Sequence, residues 1–207
     1  MTITRTLVAA ATLASLAFCG AGIANAAELK GDALMSALKS GGYVIYLRHA
    51  KSDKTQTDAD PIVVADCKTQ RNLSEAGRKQ AQMIGSAFKT LGIAIDKVYS
   101  SPYCRAKDTA SLAFSDSEQK VTNSLYYSMG LPKDAAAAAK DELSKMLSSM
   151  PKNGSNTMLV GHTSNIKEVA GVWPKKEGAG FVFQPDGKGG FTVVGSFDAS
   201  EFEKAGG

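Results

Sequence analysis

Tyr43-Val44-Ile45-Tyr46-Leu47-Arg48-His49-Ala50 is the stretch on which the reading of this chain turns. An unbroken apolar run stops abruptly at an arginine and a histidine. Its length suits a strand, and its lack of alternation suits a strand covered on both faces. Similar short runs lie at 98–100, 158–160, 181–183 and 191–194. Helical patterns fall between them, over 32–39, 74–91, 102–114 and 164–171. In the second, Ser74 is placed to cap, and Ala81, Ile84, Phe88 and Leu91 line one side. The alanine run 135–139 opens a further helix, in which Leu143, Met146, Leu147 and Met150 share a face and Asn153-Gly154 forms a stop. Strands alternating with helices imply an α/β layered fold, in which ligands bind beyond the carboxyl ends of the strands.

Four short motifs carry the chemistry that can be seen. Arg48-His49-Ala50 follows the first strand directly. Histidine can attack phosphorus, and an adjacent arginine offers a planar fork of donors to phosphate oxygens. Leu73-Ser74-Glu75-Ala76-Gly77-Arg78-Lys79-Gln80-Ala81 reads physically as a capped helix start and nothing more. In Ser100-Ser101-Pro102-Tyr103-Cys104-Arg105 a strand gives way to a helix, with Pro102 and Arg105 expected in its first turn. A cation there opposes the helix dipole, which hints that Arg105 has another task. Gly161-His162-Thr163-Ser164 again ends a strand in a histidine, and Ser164 is expected to cap the next helix. His49 and His162 are the only histidines in the chain. Both stand where α/β sites are built, and together with Arg48 and Arg105 they would form a cationic pocket suited to a phosphoryl group.

The chain has 207 residues, a formal net charge of +4, 43% apolar and 21% charged residues. That is the composition of a globular protein, and without a Lys/Arg block it gives no support for nucleic-acid binding. Residues 1–26 read as a secretory leader: Arg5, a short apolar region from Thr6 to Phe18, then Ala24-Asn25-Ala26 as an A-x-A cleavage site. The apolar run is too short to span a bilayer, so no stable membrane insertion is expected. Cys19 raises the alternative of a lipoprotein, which bulky Phe18 disfavours. Residues 27–207 would then form one domain, periplasmic or secreted after cleavage near Ala26. Two cysteines remain, Cys67 and Cys104. In an oxidising compartment they suggest a disulfide, with two separate buried thiols as the alternative. No cofactor and no metal are expected, because neither the histidines nor the carboxylates have ligand spacing.

Taken in order and spacing, the four motifs resemble the histidine phosphatase superfamily, in the branch that includes cofactor-dependent phosphoglycerate mutases. The resemblance runs from about Tyr43 to Ile166. It implies a three-layer α/β/α sandwich with a mostly parallel central sheet. It further implies that His49 becomes a phosphohistidine, that Arg48, Arg105 and His162 hold the phosphoryl oxygens, and that Ser52 touches the phosphate. The substrate implied is a phosphorylated small molecule, with envelope sugar phosphates preferred for an exported member. Two departures concern the proton donor for the leaving group. Where one branch has a glutamate soon after the third motif, this chain has Tyr126-Tyr127. Where the other has an aspartate after the second histidine, it has Thr163. Asp53, Asp66, Asp134, Glu142 and Tyr127 are candidates by position alone. The missing acid keeps two alternatives open: a phosphohistidine (phosphoramidate) phosphatase, and a non-enzymatic phosphate- or polyanion-binding module. The oligomeric state is not legible.

Overall fold

The computed structural model describes residues 28–203. The expected leader, including Cys19, lies outside the described residues. The first helix α1 (Gly31–Ser40) leads into strand β1 (Val44–Arg48). Helix α2 (Glu75–Thr90), β2 (Ile95–Ser100), α3 (Cys104–Ala113) and the short β3 (Glu118–Val121) follow. Helix α4 (Lys133–Ser148), β4 (Asn156–Gly161), α5 (Thr163–Ala170), β5 (Gly180–Pro185) and β6 (Phe191–Phe197) complete the fold. The six strands form one mixed sheet in the order β3-β2-β4-β1-β5-β6. The β3, β2, β4 and β1 strands are parallel, while β5 and β6 run antiparallel as a hairpin on the other edge of β1.

Successive residues of β1 point to opposite faces of the sheet. Ile45 and Leu47 pack with α1, α2 and α3 through Leu34, Leu38, Ile84, Phe88, Ala106 and Ala110. Val44 and Tyr46 pack with α4 and α5 through Leu143, Leu147 and Ile166. Both faces are therefore covered, as the unbroken apolar run implied, and the architecture is a three-layer α/β/α sandwich. Within α4, Leu143 and Leu147 are buried, but Met150 lies beyond the helix and is exposed.

Several boundaries differ from the sequence reading. Helix α4 ends at Ser148, before Asn153-Gly154, which serves instead as a turn into β4. Helix α3 begins at Cys104 with Tyr103 in the cap position, so Pro102 lies outside its first turn. The Tyr103 N–H donates to Ser101 Oγ, which uses this segment as a bend rather than as helix. Helix α5 begins at Thr163 with His162 in the cap position, so Ser164 lies inside the helix and does not cap it. Strand β3 has an exposed face throughout and no apolar run to announce it.

The open end of β4 is secured by one side chain. Asn156 is fully buried. Its Nδ2 donates to the carbonyls of Leu38 and Ala94, at 2.8 and 3.1 Å, and its Oδ1 accepts from the Tyr43 N–H at 3.1 Å. It thereby joins α1, the start of β1 and the approach to β2. Asn156→Ala leaves buried backbone groups without partners, and chemical denaturation is expected to show a loss of about 2–4 kcal/mol.

Candidate functional site

The register of the sheet brings the two histidines together. Arg48 at the end of β1 is opposite Gly161 at the end of β4. Each strand's next residue is a histidine, and the rings lie 5.4 Å apart between centroids. Strand β2 flanks β4 on its other side, and the residue after it, Ser101, hydrogen-bonds His162 Nε2 at 2.9 Å. Tyr46 reaches across from β1: its hydroxyl donates to the His162 carbonyl at 2.8 Å and accepts from the His162 N–H at 2.9 Å. Gly161 is required here, because a Cβ at that position would overlap the Tyr46 hydroxyl.

His49 is 3% exposed. Its Nδ1 lies 2.8 Å from the Ala50 carbonyl, which can only accept. Nδ1 therefore carries the proton, and Nε2 keeps a free lone pair. Burial, reinforced by Arg105, Arg48 and Arg71, pushes the imidazole down to about 3, so the ring is neutral at physiological pH. His162 is displaced downward as well, by burial first and then by His49 and the same arginines.

The arginines complete a cleft of about 680 Å³ that is lined by Arg48, His49, Arg71, Arg105, Tyr127 and His162 among others. Arg105 is 2% exposed despite its charge. Its two terminal nitrogens grip both oxygens of Asp58, at 2.9 and 3.2 Å, and the guanidinium lies 4.6 Å over the Tyr103 ring. Arg48 donates to the carbonyls of Pro174 and Lys175, at 3.2 and 2.7 Å, with Glu177 3.8 Å away. Arg48, His49, Arg105 and His162 thus line one cleft. Ser52 does not join them. Its hydroxyl donates to Glu177 Oε1 at 2.6 Å, and it lines a neighbouring cleft together with Lys51, Lys54 and Lys79. Glu177 carries two hydrogen bonds from Ser52 and draws it away, a partnership that spans 125 residues.

The carboxylates picked out by position are elsewhere employed. Asp53 binds Thr55, Asp66 receives the Lys68 N–H, and Glu142 pairs with Lys145 on the surface. Asp134 is exposed in the first turn of α4. Tyr127 does reach the cleft, edge-on to His162 at 5.5 Å. Sequence reasoning missed Asp58 and Arg71, which sit in a segment with no apolar periodicity. Among the described residues, no three of His, Cys, Asp and Glu gather as a metal would need.

The second and third motifs hold the backbone around His49. Ser74 caps α2, and both its N–H and its hydroxyl donate to the Lys51 carbonyl. A Cβ at Gly77 would overlap that same carbonyl, so the glycine lets α2 approach the loop after His49. From α3, Thr109 Oγ1 accepts from the Ala50 N–H at 2.9 Å. The segment between the first two motifs is tied to α3 twice. Cys67 and Cys104 form a disulfide with their Cα atoms 5.8 Å apart, and Gln70 Oε1 accepts from the Cys104 N–H.

With this geometry in place, the relatives are informative. Residues 44–124 match the family model described as histidine phosphatase superfamily (branch 1). The mitochondrial serine/threonine-protein phosphatase Pgam5 of Drosophila ananassae is 34% identical over 98 residues, 45% of this chain and 30% of that protein. Its counterpart from Drosophila willistoni is 33% identical over 97 residues, with the same coverage. The chain spans only 30% of the length of these curated relatives. Among solved structures, the protein histidine phosphatase SixA complexed with tungstate aligns with a TM-score of 0.51 at 15% identity, over 76% of this chain and 97% of that one. A mycobacterial glucosyl-3-phosphoglycerate phosphatase also aligns at 0.51, with 16% identity, over 74% and 97%. These two show a shared fold. Over residues 44–124 the chain is thus similar to the histidine phosphatase superfamily, and it shares the fold of solved structures that carry that name.

Two outcomes follow from this geometry. In a helix, Gly→Ala ordinarily stabilises by up to about 1 kcal/mol, but at Gly77 the overlap with Lys51 is expected to reverse the sign and cost about 1–3 kcal/mol, as thermal or urea melts would read. The second concerns pH. An unfolded histidine titrates near 6.5, while folded His49 does so at about 3. Below 6.5 the unfolded chain takes up a proton that the folded chain refuses, so stability is full above 6.5 and falls as the pH drops towards 3. Urea unfolding at pH 5 rather than 7 should show a loss of about 1–2 kcal/mol from this group, absent in His49→Gln.

Proposed function

We propose that the protein is an exported phosphatase that hydrolyses phosphate monoesters through a phosphohistidine on His49. The observation that carries this reading is the state of His49: buried, neutral, with Nε2 free and three arginines around it. Nε2 would form the bond to phosphorus as the ester oxygen leaves. Water would then cleave the N–P bond and release inorganic phosphate. Arg48, Arg71 and Arg105 would meet the charge on the transferring oxygens, and His162, held by Tyr46 and Ser101, would donate to one of them. The positive charge comes from the chain's own side chains, and the reaction is read as metal-independent. The likeness to phosphatases supports the reaction class.

In this reading residues 1–26 are a cleaved leader and 27–207 work as one domain in the periplasm or outside the cell. The Cys67–Cys104 disulfide supports an oxidising compartment. Envelope sugar phosphates are the substrate class we favour for that location. A second reading, hydrolysis of phosphoramidates such as phosphohistidine, is favoured by Tyr127 and Thr163 at the two places where the superfamily carries its acid. Such leaving groups protonate readily.

The test is a screen of the purified domain against sugar, alkyl and aryl phosphates and a phosphoramidate. Turnover and an acid-labile, base-stable phosphoenzyme are expected, His49→Ala should abolish both with its fold intact, and chelators should leave the rate unchanged. A wild type that binds phosphate but forms no phosphoenzyme would make the protein a binding module instead.

A further inference from the structure

An alkoxide leaving group must gain a proton as the P–O bond breaks, and neither Tyr127 nor Thr163 is a carboxylic acid. Two carboxylates line the cleft that contains His49, Asp58 and Glu168. Glu168 is tied down by the Ser128 hydroxyl at 2.8 Å. Asp58 is differently placed. It faces the fork of Arg105, with one oxygen on each terminal nitrogen, which is the arrangement a guanidinium also offers to two phosphoryl oxygens. It has a second anchor: the Arg71 N–H donates to Asp58 Oδ1 at 2.8 Å. The segment carrying Asp58 and Arg71 is fastened to the start of α3 by the Cys67–Cys104 disulfide and by Gln70. A phosphoryl group that takes over the Arg105 fork would therefore loosen Asp58 from the guanidinium without freeing it from the rim of the site.

The geometry points to Asp58 as the group that protonates the leaving oxygen, an inference that rests on the phosphohistidine reading above. With Arg105 engaged by the phosphoryl oxygens, the carboxyl loses its counter-cation and stands beside a phosphate charge. Both changes favour the protonated form of a carboxyl group. The proton that Asp58 then carries arrives with the substrate, which enters as a phosphate monoanion, and it returns to the released inorganic phosphate when Asp58 pairs with Arg105 again. As His49 Nε2 bonds to phosphorus and the bridging P–O bond breaks, the Asp58 proton passes to the departing oxygen, which leaves as an alcohol. Asp58 is left as a carboxylate. In the second half it takes a proton from the water that attacks the phosphohistidine, the N–P bond breaks back to His49, and Asp58 ends protonated as it began. The acid then comes from the segment between the first two motifs rather than from the place after the third or fourth.

A true proton donor matters in proportion to how poor the leaving group is. Asp58→Asn preserves the shape and part of the hydrogen bonding but removes the counter-charge of Arg105, so its melting temperature is expected to fall, and both esters are assayed well below that temperature. Its kcat/KM for an alkyl phosphate such as glycerol phosphate is expected to fall about 100-fold or more, and for 4-nitrophenyl phosphate, whose leaving group needs no proton, by less than about threefold. Glu168→Gln should show no such selectivity. Equal loss on both esters, or tighter phosphate binding and faster turnover of both, would overturn the assignment and leave Asp58 a structural clamp on Arg105. So would a selective loss in Glu168→Gln, or a wild type that hydrolyses only the aryl ester and phosphoramidates. In all these cases the phosphoenzyme on His49 still forms. Its absence from the wild type would sink the phosphatase reading itself, and the role of Asp58 with it.

Discussion

The parallel pairing of β1 with β4 is the constraint on which the rest of this molecule depends. It fixes Arg48 opposite Gly161, so the next residue on each strand is a histidine and the two rings become neighbours. A shift of one residue in this register would turn the side chains of β1 to the wrong faces of the sheet. Two features guard against that. Ile45 and Leu47 are committed to one helical layer, Val44 and Tyr46 to the other. The Tyr46 hydroxyl also locks onto both backbone groups of His162, a contact that only a glycine at 161 leaves room for.

The same burial that secures the register sets the electrostatics. A histidine enclosed among arginines stays neutral, because its charged form would lose solvent and gain like-charged neighbours. The carbonyl of Ala50 selects the tautomer that leaves Nε2 unprotonated. Nearly buried Arg105 cannot stand alone, and in this structure Asp58 supplies the counter-charge. The cleft is thus strongly cationic, and one of the chain's own carboxylates answers part of that charge. Motifs that lack reactive groups serve this arrangement indirectly. Ser74, Gly77 and Thr109 hold the backbone that follows His49, and the disulfide holds the segment that bears Asp58.

Much of this was legible in the sequence, and for identifiable reasons. The central strands are continuous apolar runs because both faces are covered, so β1 and β4 announce themselves. The histidines that end them, with Arg48 and Arg105, are set by chain-local position at strand ends and a helix start. The even pair of cysteines suggested a disulfide, and the structure decides between that and two separate thiols. Helix starts were less legible: α3 and α5 begin with Tyr103 and His162 as caps, residues whose places are chosen by the site rather than by capping preference. Strand β3 carries no apolar pattern because it lies at an exposed edge.

The sequence by itself determined the layered α/β fold, the two histidines at strand ends and the family that the motifs resemble. Periodicity and local motifs are properties of contiguous residues, and those survive without coordinates. Only the tertiary structure decided that Ser52 turns to Glu177 rather than to the cleft of His49, and that Asp58 and Arg71 enter that cleft while Asp53, Asp66, Asp134 and Glu142 do not. The Ser52–Glu177 contact spans 125 residues and the Asp58–Arg105 contact 47, and both lie on irregular segments. No periodic pattern encodes such pairings. They arise when the sheet and its helices bring distant loops to one edge, where each buried charge must find a partner.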